Sequence, residues 1–140
     1  MTVQKIVLKS LMFSVLALTL IGCGGGTSSA TSATNTETAN DVAEMLREFS
    51  EGKKTAPASL ADLDKTDASA THPLGHAAVA RQDFIVFWRT AINPANADTV
   101  LAYEKEAPAK GGAVIMGDGN VKAMTADEFN AAKKAGAVKK

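Results

Sequence analysis

His72 and His76 stand four residues apart, the spacing at which two imidazoles share one face of a helix and can hold a metal ion. Pro73 and Gly75 fall between them, so a regular helix through the pair is not expected. No Glu accompanies them in the HExxH arrangement of zinc hydrolases, and further ligands would have to come from Asp62, Asp64 or Asp67. The expectation is two solvated loop histidines and no metal site. Gly117-Asp118-Gly119-Asn120 resembles the start of a calcium loop but lacks the further oxygen ligands and the closing Glu. Lying between two short apolar runs, Asp118-Gly119 reads better as a hairpin turn with positive φ at both residues. The carboxylate pairs Glu104/Glu106 and Asp62/Asp64 sit in polar contexts that supply none of the desolvation on which acid catalysis draws. Neither a Gly-x-Ser-x-Gly elbow nor a GxxxxGK[ST] phosphate loop is present, and Lys110-Gly111-Gly112 reads as a basic loop. The lone thiol, Cys23, has no second cysteine with which to close an internal disulfide. No catalytic residue, no cofactor and no enzymatic activity are expected.

The frame for these residues is small. With 140 residues, 46% of them apolar, the chain has material for one modest core. Its 15 basic side chains are balanced by 15 acidic ones, which gives no reason to expect a nucleic-acid partner. Aromatics make up only 5%, too few for a platform on which bases or sugars would stack.

Residues 1–22 read as an address to be set aside before the fold is considered. Lys5 and Lys9 precede an uncharged run, Ser10 to Gly22. As a helix that run is about 20 Å long, short of a bilayer core of about 30 Å. It ends in Leu20-Ile21-Gly22-Cys23, which resembles the lipobox of bacterial lipoprotein precursors. The resemblance implies that Cys23 receives a diacylglyceryl group, that a peptidase cuts before it, and that the new amino group takes an acyl chain such as palmitate. It makes Cys23 the lipid-attachment residue and the membrane a partner. The domain would face the periplasm or the exterior, and Gly24, in place of Asp, is compatible with sorting to the outer rather than the inner membrane. Removal of the leader leaves 13 basic against 15 acidic side chains.

Residues 24–40, GGGTSSATSATNTETAN, contain no large apolar side chain and are expected to form a flexible tether. Its root-mean-square span would be about 20–25 Å. The folded domain is expected over 41–140. Val42, Met45, Leu46 and Phe49 make one helical stripe, with Asn40 as cap and Gly52 as stop. After Pro57, Ser59 can cap one helical turn, 64–73 reads as polar loop, and Gly75 to Gln82 as a short helix. Strands are expected at 83–92, 99–105, 113–116 and 121–124, with Trp88 in the core and Arg89 on the opposite sheet face. Asn93-Pro94-Ala95-Asn96 is turn chemistry, and 106–112 reads as loop. Thr125-x-x-Glu128 is a capping box that opens a last helix, closed by Gly136. The sum is an α+β domain: an N-terminal helix on an antiparallel sheet of three to four strands, then a short C-terminal helix.

That order, with Ala56-Pro57-Ala58-Ser59-Leu60-Ala61-Asp62-Leu63 after the first helix, resembles the head of type II secretion pseudopilins and type IV pilins. Val100 to Lys105, Gly111 to Val121 and the ending Thr125-Ala126-Asp127-Glu128-Phe129 are similar to uncharacterised pilin-like lipoproteins of planctomycetes. The resemblance spans roughly residues 42–133 and implies a non-enzymatic binding or scaffold module whose partner is an envelope or secretion-system protein. Some pseudopilins bind calcium in a loop near the end of the fold where Asp118 stands; a metal- or small-ligand-binding lipoprotein, using that turn or His72, His76 and nearby carboxylates, is the alternative. Two features depart from the family. A lipobox and polar stretch replace the apolar helix stem that packs a pilus fibre, and Pro108 stands where many relatives carry a His.

Overall fold

The computed structural model describes residues 29–136, with side chains from residue 35 onward. The leader and Cys23 lie outside the described residues. Helix α1 spans Ser29–Lys53. It is followed by α2 (Leu60–Leu63), α3 (Ala68–Thr71) and α4 (Pro73–Ala80). The sheet then begins, with β1 (Phe84–Val86) and β2 (Thr99–Glu104), a one-turn helix α5 (Ala107–Lys110), and the hairpin β3 (Gly112–Met116) and β4 (Val121–Met124). Helix α6 (Ala126–Ala131) and a two-residue strand β5 (Lys133–Lys134) complete it. Among the described residues no helix is long and apolar enough to cross a membrane.

The expected α+β architecture is what the chain adopts: the strands run in the order β1-β2-β3-β4, all antiparallel. Alternation along the strands puts Ile85, Tyr103 and Val114 on one face and Val86, Ala102 and Ile115 on the other. Tyr103 meets the Phe129 ring of α6 at 4.7 Å and the Phe87 ring at 5.7 Å, so the C-terminal helix closes that face. Helices α1 and α4 close the other. With both faces covered, Val114, Ile115 and Met116 are buried in succession, which is why β3 reads as a continuous apolar run instead of an alternating one. Helix α1 lies along the β3–β4 hairpin. Asn35 borders Gly112 and Ala123 at the open end, and Arg47 reaches the Gly119 carbonyl at the turn, 3.5 Å away. The twelve residue steps of helix from Asn35 to Arg47 span about 18 Å, the length of a five-residue strand.

The stripe Val42, Met45, Leu46 and Phe49 is buried as expected, and Ala39 extends it by a turn. The first helix therefore does not start at Asn40. It begins at Ser29, inside the expected tether, because alanines at 30, 33 and 39 favour a helix and Ala39, fully buried, gives it a packed face. Nor does Gly52 end it: the helix runs through Gly52 to Lys53, and Lys54 takes the left-handed conformation, φ 54°. A side chain is strained there, so Lys54→Gly is expected to raise stability by about 0.5–1 kcal/mol. Urea unfolding would show it as a higher midpoint at unchanged slope.

Several expected boundaries move for physical reasons. Strand β1 stops at Val86, not Ile92, because Arg89 turns the chain with φ 66° and donates its N–H to the Pro57 carbonyl at 2.8 Å. Trp88 and Arg89 are consequently off the sheet, with Trp88 half-buried against the core and Arg89 exposed. Residues 64–73 contain α3, and 106–112 contain α5, whose Pro108 sits where a missing N–H costs nothing. The β3–β4 turn has positive φ at Gly119 only, φ 86°. Gly119 donates to the Met116 carbonyl and Met116 to that of Asn120, giving a three-residue loop with a glycine bulge instead of the expected two-residue turn. The capping box at Thr125 and Glu128 forms in both directions. Gly136 does not close α6. Lys134 does, its ammonium donating to the Phe129, Asn130 and Ala132 carbonyls while lying 4.5 Å from the Phe129 ring centre. That fixes β5 beside the first half of β2, in parallel, on the edge whose other half β1 covers.

Candidate functional site

The two histidines do not sit in a solvated loop. Pro73 occupies the first turn of α4, the one helical position where its missing N–H is no loss, so a helix opens between them with His72 at its cap position and His76 inside. His72 supplies no side-chain cap. The cap comes from α1: Asp41 Oδ2 accepts the Gly75 N–H at 2.7 Å, and Asp41 Oδ1 lies 3.0 Å from His72 Nδ1. One carboxylate thereby satisfies an orphan donor of α4 and places a negative charge at its positive end. The other ring nitrogen, Nε2, lies 3.0 Å from Glu48 Oε2, two helical turns further along α1. A carboxylate only accepts, so the neutral ring can serve one of these contacts and the imidazolium both. His72 is 15% exposed and bridges α1 lengthwise, while His76 Nε2 donates to Asp64 Oδ1 at 2.6 Å.

Chemically this arrangement is a clasp between helices. The His72 nitrogens point away from each other to separate carboxylates, and His76 turns to a third. Among the described residues no three of His, Cys, Asp and Glu converge so as to hold a metal ion. Asp41→Ala would leave the Gly75 N–H and one His72 nitrogen without their acceptor. A loss of about 2 kcal/mol is expected, read as a lower melting temperature. A change within 0.5 °C would remove Asp41 as the link between α1 and α4.

The remaining polar candidates are likewise engaged inside the fold. Asp118 accepts the Asn120 N–H at 3.0 Å and its side-chain amide at 2.6 Å. The Asn120 N–H is the main reason its carboxyl titrates below the usual range, with the side-chain amide adding to it. Glu104 Oε2 accepts the Ala113 N–H at 2.7 Å, whereas Glu106 pairs with Lys110 at 3.2 Å. Asp62 is held low chiefly by the Lys65 ammonium and then by the Ala58 N–H, and its neighbour Asp64 goes to His76. Each carboxylate pair of the sequence is thus split between unrelated partners. Lys110 ends α5, and Gly111, φ 77°, makes the turn into β3. Glu128 is held low by the Thr125 N–H first and the Thr125 hydroxyl second.

These three carboxyls set an expected acid response. Their folded values lie below the unfolded ones, so their contribution is complete at neutral pH and is lost as pH falls below about 4. The urea midpoint should hold steady from neutrality to the carboxylate range and then drop. Glu128→Gln should start lower at neutral pH and converge on the native chain in acid; a gap that stays constant with pH would contradict the capping role.

Sequence reasoning missed Asp41 and Glu48 as partners of His72. Their spacing of seven residues along one helix face, opposite a histidine, was the available signal. Set against protein families, curated proteins and solved structures, the chain matches none.

Proposed function

We propose that the chain is a lipid-anchored envelope lipoprotein whose α+β domain is a non-enzymatic, pseudopilin-like binding or scaffold module. The observation that carries this reading is Leu20-Ile21-Gly22-Cys23 at the end of an uncharged run behind Lys5 and Lys9. Two or three acyl chains on Cys23 anchor a protein durably, because each buried methylene contributes about 0.8 kcal/mol and one chain alone holds only reversibly. The domain supports a binding role in two ways. A helix leading into an antiparallel sheet is the order found in pseudopilin heads. The histidines and the paired carboxylates spend their hydrogen bonds on joining helices and capping turns, which leaves them as structure.

The test is in-cell cross-linking of the lipidated protein followed by mass spectrometry. Recovery of the same envelope or secretion component in repeated experiments, lost in Cys23→Ser, is expected. Capture of abundant neighbours alone, unchanged by Cys23→Ser, would overturn the scaffold reading.

A further inference from the structure

Resting on that anchor, we infer that the domain stands on the membrane in one orientation, with the corner around Asn35 against the lipid headgroups and the β3–β4 turn facing away. The first argument is reach. Cys23 and Ser29 are six peptide units apart, which at full extension span at most about 20 Å. Helix α1, with 25 residues, is about 37 Å long. Inverting the domain would lift Ser29 the length of the helix above the bilayer, beyond what the connecting chain can cover. The start of α1 must therefore stay near the surface.

The second argument is what surrounds that start. Two grooves meet at Asn35. Their rims carry Arg81, Lys105, Lys110 and Lys122, cations delivered by separate elements to one corner, against an equal number of carboxylates. Lys105 makes no ion pair among the described residues. Arg81 and Lys110 have only exposed partners, Asp83 and Glu106, pairs weak enough for lipid phosphate to compete with. The other two rim carboxylates, Glu104 and Glu128, are already turned to backbone N–H groups, those of Ala113 and Thr125. At the far end, Arg47 pairs with Glu44 and reaches toward the Gly119 carbonyl, and Lys54, Pro94 and Asp118 border a separate groove.

The mature lipidated protein, reconstituted into vesicles that carry a headgroup-linked quencher, provides the experiment. With Cys23 consumed as thioether, Ala109→Cys and Ala95→Cys each offer one thiol for a fluorophore at an exposed position and leave every cation of the corner in place. Fluorescence should be lost at 109 and retained at 95. Equal quenching, or stronger quenching at 95, on vesicles that carry the protein overturns the orientation while leaving the anchor intact. Protein that does not float with the vesicles, or a Cys23 thiol that itself takes the label, overturns the anchor and the orientation with it.

Discussion

Gly75→Val is expected to lower the stability of the domain by about 3 kcal/mol, the upper range for overpacking, and to do so without touching a hydrogen-bonding side chain. Gly75 is buried where α4 crosses α1. A Cβ there would stand 2.7 Å from the Val42 nitrogen and 2.8 and 2.9 Å from the Asp41 carbonyl carbon and oxygen. All three are backbone atoms within a helix, so no side chain can rotate to make room. Relief would require α4 to move off α1, and with it the Asp41 cap at 2.7 Å and the His72 contact at 3.0 Å. Steric and polar terms are therefore coupled, and the valine should largely abolish the further effect of Asp41→Ala in a double-mutant cycle. Urea unfolding of the domain gives both numbers. A midpoint unmoved by the valine would mean that α4 does not dock through Gly75.

Cys23→Ser is expected to have the larger effect in the cell. A serine carries no thiol for the diacylglyceryl group, and the remaining uncharged run, about 20 Å as a helix, is short for a span. The protein should shift from the membrane fraction to the soluble fraction, or accumulate as uncleaved precursor. Fractionation followed by blotting distinguishes these outcomes. Membrane-bound protein at the mature mass would contradict the lipobox reading, since neither lipid nor leader would then explain its retention.

How far the sequence could be read depended on whether a signal was local. The α1 stripe, β2, the β3–β4 hairpin and the Thr125 capping box were legible because each is written within a few residues by periodicity, β-branching or paired cap side chains. The start of α1 was not, because its polar composition resembles a linker and, among the described residues, Ala39 is the one buried side chain ahead of the Val42 stripe. The strand at Phe84 was overextended because aromatic and β-branched residues suit a packed turn as well as a strand: Phe87 is buried on Tyr103 after the ladder has ended. Strand β5 is two lysines whose position follows from the Lys134 cap on α6, a contact no propensity encodes. The histidines show the same limit. Their spacing was visible, but their partners Asp41, Glu48 and Asp64 lie between 12 and 31 residues away in sequence.

The central claim, a lipid anchor at Cys23, is tested most directly by the intact mass and N-terminal fragment spectrum of the protein extracted from membranes. An N-terminal fragment beginning at Cys23 and carrying the mass of a diacylglyceryl group, with or without an added acyl chain, is the predicted result. An unmodified Cys23, or a mature N-terminus at another residue, would contradict it.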